Sequence, residues 1–368
     1  MNLGLLLSLG DSLEQQEQSG QFWRFEKYYL TQYLKKFKKV YVFSYSDNKK
    51  FQGDKKFKLV PNKFGLHRLI YTFLLPILES KNIRQVSIVR AMQATGAIPA
   101  IIARLFYKIP YVVTYGYKYH QFAKVEGKLM RSFLFKILEY FAVKFANGII
   151  VTTYELKKYV GKYTSEEKIH LIPNGVDTKT FKPITKEFNP KNIQVLSIGR
   201  LEVQKNYQNL IRAVSISKFK NEISLRIIGR GGLKNSLEYL ANTLDVNLNI
   251  IEPVPNNQIP KYLNQSDIFV LPSLIEGHPK TLIEALSCGI PSIVSKVTGN
   301  IEIVKDHQNG LFCQISPEDI AQKLDLLIEN KNLRRNISQT ARKDVLAKYN
   351  IEKLVNREIL LLKSLSHV

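Results

Sequence analysis

The chain has 368 residues, of which 45% are hydrophobic and 23% charged, so it can bury a sizeable core, and its length predicts two domains. Its two cysteines, Cys288 and Cys313, exclude a disulfide framework, and no Cys/His cluster has metal-ligand spacing. The apolar first nine residues lack a basic region and a cleavage site, which predicts a strand and not a signal peptide. No apolar run approaches the roughly 18 residues of a spanning helix, so none is expected, and the cysteine content predicts a cytoplasmic protein.

The net charge of +23 is unevenly distributed. Residues 1–183 hold 30 Lys and Arg against 13 Asp and Glu, a net of +17, which leaves +6 for the remainder. The first half therefore attracts anionic partners, such as a membrane surface, a lipid phosphate or a nucleic acid. The alternative is a solubilising basic surface without a specific partner.

The first half alternates short apolar strands with amphipathic helices. Strands are predicted at residues 2–9, 39–45, 86–90, 111–114, 148–151 and 168–172. Helices are predicted at residues 21–37, 66–74, 96–106 and 127–145. The segments 10–20 and 47–58 are predicted to be polar loops, the second of them rich in lysine.

The alternation restarts after a polar, Pro-containing linker at residues 181–192. Strands are predicted at residues 193–198, 224–228, 247–251, 267–271 and 291–295, with helices between them and three helices at the C-terminus. This order predicts an α/β protein with two Rossmann-like domains, 1–183 and 184–350, each built on a parallel sheet. Ligands of such sheets bind beyond the carboxyl ends of the strands, so a cleft between the domains is the expected site.

The most distinctive stretch runs from Leu271 to Glu302. A strand ends in a Pro-Ser turn, a loop carries Glu276, and a helix is predicted to open at Pro279, with Glu284 about 7 Å further along its axis at about 1.5 Å per residue. Free backbone N–H groups in the first helical turn form an anion site. Anion donors between two carboxylates suit a ligand with both phosphate and hydroxyl groups, such as a sugar nucleotide.

Two cations follow the first strand of the second half. Arg200 comes directly after Gly199, and Lys205 lies five residues further on, where both can neutralise a diphosphate. The next strand is followed by Gly229-Arg-Gly-Gly232, which is either a phosphate-binding loop or only a tight turn. Taken alone, each of the two cations is better explained as part of an ordinary basic surface, and only the surrounding motifs favour a diphosphate site.

Together these motifs resemble the retaining GT-B glycosyltransferases of family 4 (glycosyl transferases group 1). The resemblance rests on Glu276-x7-Glu284 with Gly277, Pro279, Gly289, Pro291, Gly299 and Glu302, on Gly199-Arg-Leu with Lys205, on Gly229-Arg-Gly-Gly, on Ile172-Pro-Asn-Gly-Val-Asp177 and on Asp267-Ile-Phe-Val-Leu-Pro-Ser273. It is densest from about residue 170 to 312 and extends over essentially the whole chain. It implies two Rossmann-like domains facing each other across a cleft, with the C-terminal helix, 351–368, packed on the first domain.

The resemblance also implies roles for individual residues. Arg200 and Lys205 would neutralise the diphosphate, Glu284 would accept hydrogen bonds from the ribose diol, and Glu276 would contact the transferred sugar or else only cap the helix. The implied donor-binding set is Gly20, Gly199, Arg200, Lys205, Gly229, Glu276, Gly277, His278, Thr281, Leu282 and Glu284, and the implied catalytic set is Glu276, Arg200, Lys205 and His120.

The N-terminal half departs from the family pattern in two places. Gly20 is expected to open the first helix in a loop that lacks the usual paired glycines. The family's histidine position is taken by Tyr115, and His120 follows five residues later, where it is expected in a loop that reaches the site or simply lies on the surface.

No Asp-x-Asp sequence is present, so neither a metal-bridged diphosphate nor another cofactor is expected. The implied activity is retaining, metal-independent transfer from a UDP- or GDP-sugar to a lipid-linked or oligosaccharide acceptor in surface glycan synthesis. The alternative is a catalytically silent sugar-nucleotide-binding subunit. Residues 65–78 and 124–144 either pack in the core or meet the inner face of an anionic membrane, and nucleic acid is not an expected partner.

Overall fold

The structure, a computed structural model, describes residues 1–46 and 54–366. It contains two compact units, Met1–Pro173 with Glu352–Val368, and Asn174–Ile351. Most of the predicted lysine-rich loop at 47–58 lies outside the described residues. Its last two residues already belong to a strand, because Phe57–Val60 pairs with the neighbouring strand of the first sheet.

The first unit is built on a parallel sheet. Among the described residues it has seven strands in the order β3-β2-β1-β4-β5-β6-β7. They are β1 Asn2–Leu6, β2 Lys39–Phe43, β3 Phe57–Val60, β4 Ile88–Ala91, β5 Tyr111–Tyr115, β6 Gly148–Val151 and β7 Ile169–Leu171. The central strands β4, β5 and β6 are buried along their whole length, as expected for a parallel sheet covered on both faces.

Helices connect these strands and cover the sheet. They are α1 Leu13–Gln18, α2 Phe22–Arg24, α3 Thr31–Lys36, α4 Arg68–Leu78, α5 Ser80–Ile83, α6 Ala97–Tyr107, α7 Tyr119–Val125, α8 Leu129–Lys144 and α9 Tyr154–Val160. The helix predicted at 21–37 is present as α2 and α3, with the π-helical segment Phe25–Leu30 between them. The core packs small residues of α6, such as Ala100 and Ala103, against sheet residues such as Val113.

The prediction of a polar loop at residues 10–20 is wrong, because this segment contains helix α1. Ser12 caps this helix, and its Oγ accepts a hydrogen bond from the Gln15 backbone N–H at 3.1 Å. A serine followed three residues later by glutamine is a helix-start pattern. It was overlooked because the segment is short. Gly20 follows the C-terminal end of α1 with φ +73°, so it closes this helix and does not open the next one.

The second unit is built on another parallel sheet. Among the described residues it has six strands in the order β10-β9-β8-β11-β12-β13. They are β8 Ile193–Ile198, β9 Ile223–Ile228, β10 Leu248–Ile251, β11 Ile268–Leu271, β12 Ser292–Ser295 and β13 Leu311–Cys313. Two parallel sheets with helical crossovers confirm the predicted α/β class with two Rossmann-like sheets.

The helices of the second half are α10 Tyr207–Ile216, α11 Lys234–Thr243, α12 Ile259–Gln265, α13 Lys280–Ser287, α14 Thr298–Ile301, α15 Pro317–Glu329, α16 Lys331–Lys348 and α17 Ile351–Leu365. The last three are the predicted C-terminal helices. Helix α13 begins one residue later than predicted, because Pro279 has an extended backbone and serves as the N-cap.

Helix α17 packs on the first unit through a buried ionic network. The Glu358 carboxylate lies 2.6 Å from Arg90 Nε on β4 and also accepts a hydrogen bond from the Tyr33 hydroxyl. All three side chains are almost completely buried. Removing one member of such a group leaves an uncompensated charge or polar atom, so these contacts hold the end of the chain against the first sheet.

No helix in the described part of the chain is both long enough and apolar enough to span a bilayer.

Candidate functional site

Three loops of the second unit leave neighbouring strands at the same edge of the sheet. β8 is followed by Gly199, β9 by Gly229, and β11 by the Pro-Ser turn that leads to Glu276. Because β8 lies between β9 and β11 and all three run parallel, the loops gather at one edge. This carboxyl edge is where ligands bind in open parallel sheets.

The glycines after β8 and β9 allow the two loops to touch. A side-chain carbon on Gly229 would lie 1.9 Å from the Gly199 carbonyl oxygen, and one on Gly231 would lie 2.3 Å from the Leu201 carbonyl oxygen. The loops are joined by a hydrogen bond of 2.9 Å from the Leu201 N–H to the Arg230 carbonyl. Only glycine permits this approach, so the two loops form one backbone surface.

Lys205 and Glu276 meet at this edge. Lys205 Nζ lies 2.5 Å from Glu276 Oε1, and the Ser273 hydroxyl donates to the same oxygen at 2.7 Å. Both charged side chains are largely buried, at 12% and 7% exposure. The left-handed residue Asn206 ends the short 3-10 turn that carries Lys205. The structure therefore joins two predicted site residues in a single ion pair.

A second layer of polar residues holds the Glu276 loop. Ser295 Oγ donates to the Ser273 carbonyl at 2.5 Å, and Asn300 Nδ2 donates to the Ser295 carbonyl at 2.8 Å. A side-chain carbon on Gly299 would lie 2.2 Å from the Gly277 carbonyl oxygen, so α14 packs directly against the loop. These supporting residues come from β12 and α14 and lie within the distinctive stretch Leu271–Glu302, although their contacts with the Glu276 loop were not predicted.

Arg200 lies at the same edge but its guanidinium points into solvent. Its side chain is 61% exposed and contacts Glu202 Oε1 at 3.0 Å and Gln204 Oε1 at 3.5 Å. Gln204 in turn donates to the Ile275 carbonyl at 3.2 Å, which links the β8 loop to the Glu276 loop. Arg200 is thus available at the rim, whereas Lys205 is fixed inside.

The N-terminal turn of α13 supplies backbone donors beside the ion pair. Lys280, Thr281 and Leu282 are its first three helical residues, and the N–H groups of a first helical turn point out of the helix towards a ligand. Two residues later, Glu284 is buried, and its Oε1 accepts a hydrogen bond of 2.9 Å from Asn256 Nδ2. The structure therefore gives Glu284 a fixed orientation through Asn256, a residue that no sequence motif indicated.

The imidazole of His278 is buried and not directed into an open site. Its ring packs on Tyr349 at 5.5 Å between centroids, and its carbonyl accepts a hydrogen bond of 2.6 Å from Asn174 Nδ2. Burial, and secondly the charge of Lys280, lower the pKa of His278 to about 3. The side chain is therefore neutral at physiological pH, and it fixes the loop before Pro279.

The candidate residues of the first unit have different surroundings from those expected. His120 lies in helix α7 and not in a loop, and its Nδ1 is 2.7 Å from Glu139 Oε2. The Tyr115 hydroxyl donates to the same carboxylate oxygen at 2.8 Å, so both residues share Glu139. Burial and this carboxylate raise the pKa of the Tyr115 phenol well above its usual value. Gly20 is buried behind α1.

Within the two described ranges, no group of three or more His, Cys, Asp or Glu side chains is placed to hold a metal ion. Cys288 and Cys313 are both buried, and burial raises the pKa of each thiol to about 12. Both thiols therefore remain protonated and poorly nucleophilic at neutral pH.

Two family models match the chain, and together they extend over most of it. Residues 178–344 match Glycosyl transferases group 1, and residues 28–180 match Glycosyltransferase Family 4.

Similar curated proteins include glycosyltransferases that act on lipid-linked substrates. A UDP-Gal:alpha-D-GlcNAc-diphosphoundecaprenol alpha-1,3-galactosyltransferase of Escherichia coli is 32% identical over 281 residues, covering 72% of this chain and 71% of that protein. An N,N'-diacetylbacillosaminyl-diphospho-undecaprenol alpha-1,3-N-acetylgalactosaminyltransferase of Campylobacter jejuni is 29% identical and covers 67% of this chain and 69% of its own length.

Solved structures with the same fold extend over nearly the full chain. A sucrose-phosphate synthase from Thermosynechococcus elongatus has a TM-score of 0.84 at 17% identity and covers 99% of both chains. Anabaena HepE, solved in complex with UDP and glucose, has a TM-score of 0.75 at 16% identity and also covers 99% of both chains. With the strand-end loops, the paired Lys205 and Glu276 and the family matches, the chain belongs to the glycosyl transferases group 1, family 4, and is a glycosyltransferase with a GT-B fold.

Proposed function

We propose that this enzyme transfers a sugar from a nucleoside diphosphate sugar, with UDP as the first candidate, to a lipid-linked acceptor during assembly of a surface glycan. The observation that carries the donor proposal is the convergence of the Lys205–Glu276 pair with the backbone donors of α13 at one sheet edge. A diphosphate needs the donors and the cation, and a sugar needs the carboxylate. UDP is favoured because the Escherichia coli relative is named for UDP-Gal.

Each group has a distinct role in this proposal. The N–H groups of Thr281 and Leu282 bind the diphosphate, and Arg200 reaches it from the rim. The Lys205 ammonium stabilises charge that develops on the leaving phosphate oxygen. Glu276 orients the transferred sugar, and Glu284 accepts hydrogen bonds from the ribose. Gly199, Gly229 and Gly277 keep the backbone surface open to the ligand. These groups supply the positive charge without a bound metal ion.

The proposed reaction exchanges one glycosidic bond for another. The bond between the anomeric carbon and the β-phosphate oxygen breaks, and its electron pair leaves with the nucleoside diphosphate. An acceptor hydroxyl oxygen bonds to the anomeric carbon on the same face, and its proton passes to the departing phosphate. The products are the glycoside and the nucleoside diphosphate. Retention agrees with the alpha linkages in the names of the two relatives.

A lipid-linked acceptor is proposed from those names, which specify diphospho-undecaprenol substrates, and from the outer surface of the first unit. Helices α4, α6 and α8 lie side by side there, with the Tyr107 hydroxyl of α6 bonded to the Pro76 carbonyl of α4. We call their exposed apolar residues the helix face. It consists of Leu69, Ile70, Phe73, Leu74, Ile77, Leu105, Phe106, Leu129, Met130, Phe133, Leu134, Ile137, Tyr140 and Phe141.

The helix face has the properties of a surface that contacts an anionic bilayer. On α4 and α8 the apolar residues of the helix face recur at helical spacing. They are exposed, so each helix has an apolar side that the core does not cover. Exposed cations accompany them, namely Lys63, Arg68, Lys108, Lys124, Lys128, Arg131, Lys136 and Lys144. Apolar side chains inserted among acyl chains, with cations at the lipid phosphates, would bring the enzyme to a membrane-embedded acceptor.

The function is tested with purified protein, a panel of nucleotide sugars and a synthetic diphospholipid-linked sugar in detergent micelles. Thermal shifts with UDP and its sugars but not with GDP are expected to identify the donor. Transfer should continue in EDTA, and NMR of the product should show the donor's anomeric configuration. Binding without turnover on any lipid-linked sugar would contradict the catalytic proposal, and an inverted product would contradict retention.

A further inference from the structure

The first unit contains an aromatic cavity of about 370 Å³ between α8 and the segment that begins with α9. One wall is formed by Phe133, Ile137, Tyr140 and Phe141 of α8. Tyr159 and Tyr163, whose rings are 5.4 Å apart, also line the cavity, and the Tyr163 ring meets that of Tyr140 edge-on at 5.9 Å between centroids. The cavity is therefore bounded by large, rigid, apolar surfaces.

The cavity is continuous with the helix face. Four of the α8 residues that line it, Phe133, Ile137, Tyr140 and Phe141, also belong to the helix face. At its other side the lining includes Tyr115, the last residue of β5, so the cavity reaches the carboxyl end of the first sheet. It thus extends from the surface proposed to contact lipid to the last residue of β5.

The buried polar atoms around the cavity already have partners. Both oxygens of Glu139 accept hydrogen bonds, from the Tyr115 hydroxyl and the His120 backbone N–H, and the imidazole of His120 contacts the carboxylate as well. The Tyr163 hydroxyl donates to that of Tyr159 at 3.4 Å. An unpaired buried donor or acceptor in the lining would favour a polar ligand. Among the described buried atoms, the side chains that line the cavity have none. An apolar ligand suits such a cavity because nothing polar is desolvated when it binds.

We propose that this cavity binds the hydrocarbon chain of the lipid-linked acceptor next to its phosphate. The chain would leave the bilayer at the helix face and lie in the cavity against α8 and the ring of Tyr159, with the exposed Lys136 ammonium beside it for the phosphate. This inference rests on the proposed function, because it names the part of the acceptor that the first unit recognises. On this proposal, the length and type of the hydrocarbon chain determine which lipid-linked acceptors the enzyme uses.

Two substitutions on α8 separate the cavity from the rest of the helix face. Ile137→Trp enlarges a half-exposed side chain that lines the cavity, whereas Leu134→Trp makes the same change on the same helix away from the lining. The probe is a dansylated farnesyl phosphate in detergent-free buffer. We expect Ile137→Trp to weaken its binding about tenfold and Leu134→Trp to leave it unchanged.

A second pair repeats the test with a charge, in case the larger ring is accommodated or the variant is unstable. Phe141→Glu places a carboxylate in the lining, and Leu134→Glu is its matched control. Dioleoylphosphatidic acid competes in a parallel titration, so that a general acyl-chain site is recognised. Equal probe binding by wild type, Ile137→Trp and Phe141→Glu would overturn the proposal, as would better competition by the phospholipid than by unlabelled farnesyl phosphate.

Transfer assays distinguish this inference from the proposed function. In micelles, wild type is expected to show at least a tenfold lower KM for a long-chain prenyl acceptor than for the same head group on a short alkyl chain. Ile137→Trp should lose only that preference. Transfer with no chain preference in wild type would overturn the cavity proposal and leave the transfer activity standing. Probe binding that depends on Ile137 without any transfer would support the cavity and contradict the proposed acceptor.

Discussion

Lys205 Nζ lies 2.5 Å from Glu276 Oε1, so two residues that the sequence assigns to different parts of a donor are partners in the structure. The hydroxyl of Ser273 completes the contact with the same oxygen. Because both side chains are largely buried, either charge alone would be poorly solvated. The ammonium therefore orients the carboxylate, and the carboxylate keeps the ammonium beside the strand-end loops.

Breaking this pair should reduce the rate of sugar transfer. Lys205→Met and Glu276→Gln are each expected to lower kcat about ten- to a hundredfold, since hydrogen bonds to charged groups contribute roughly 1.5–3 kcal/mol. Steady-state kinetics with the identified donor measures this effect. The double variant should lose little more than either single variant, because the residues act as a unit.

Lys218→Met is the control for that experiment. Lys218 also pairs with a glutamate, Glu329 at 3.1 Å, but both side chains are exposed. It should leave kcat unchanged, because exposed pairs contribute little. Wild-type turnover in Lys205→Met would remove Lys205 from the proposed site.

The buried Glu284 carboxylate is expected to recognise the ribose. Calorimetry should show that wild type binds the ribonucleoside diphosphate about tenfold more tightly than its 2′-deoxy analogue, as for one hydrogen bond to a charged group. Glu284→Ala should abolish this difference. Asn256→Ala should reduce it, because Asn256 Nδ2 holds the carboxylate at 2.9 Å. A preference that persists in Glu284→Ala would assign the ribose to another residue.

Adjacent glycines after β9 should respond very differently to alanine. A side-chain carbon on Gly231 would lie 2.3 Å from the Leu201 carbonyl oxygen, whereas one on Gly232 meets nothing within 4 Å. Overpacking of this kind costs about 1–3 kcal/mol. Gly231→Ala should therefore lower the free energy of unfolding by that amount and weaken donor binding, while Gly232→Ala changes neither. Urea unfolding monitors the first effect, and equal stability of the two variants would contradict the close contact.

The buried His278 should make stability depend on pH in acid. Burial and Lys280 lower its pKa to about 3, below the ordinary value of 6.5. As the pH falls, His278 is therefore protonated in the unfolded state before it is protonated in the folded state. The contribution of the neutral His278 to the free energy of unfolding is complete above pH 6.5 and is lost as the pH falls toward 3. At pH 5.5 the loss is about 1.4 kcal/mol.

Urea unfolding of wild type and His278→Gln at pH 7.5 and 5.5 measures this contribution. The remaining titrating groups are common to both proteins, so the difference between them reports on His278. An identical pH dependence of the two proteins would show that the imidazole is accessible to protons in the native state.

The helix face should bind vesicles of phosphatidylcholine with phosphatidylglycerol more strongly than vesicles of phosphatidylcholine alone. Phe133→Asp is expected to weaken that binding about tenfold or more, because burial of a phenylalanine contributes roughly 1.5–3 kcal/mol. Tyr239→Asp, an exposed aromatic residue of the second unit, should have no effect. Added salt should weaken binding through the cations. If Phe133→Asp sediments with the vesicles as strongly as wild type does, this face is not the contact surface.

Much of the fold and of the second-unit site was predictable from local sequence. Strands β8, β9 and β11 are short apolar runs that end in glycine or in Pro-Ser, and parallel pairing then brings their ends together. That is why Lys205, Glu276 and the first turn of α13 could be placed near one another. Helix α1 was missed because five of its six residues are polar and its only local signal is the cap formed by Ser12.

The partners of the site residues could not be predicted in the same way. Glu284 is fixed by Asn256, 28 positions earlier, and His120 shares Glu139 with Tyr115 in a helix layer that only packing defines. Such contacts join residues that have no fixed spacing in the chain. Hydrogen-bond geometry between separate elements depends on the packed backbone and not on either local pattern.

The sequence by itself therefore determined the α/β class, the loops that end the strands of the second sheet and the residues they bring to its edge. The tertiary structure alone decided that Lys205 holds Glu276, and that the apolar residues of α4 and α8 face outward. An apolar stripe on a helix has the same spacing whether it faces a sheet or a membrane. Only the packing of the other side of the helix, here small residues such as Ala142 against the sheet, determines which stripe is left exposed.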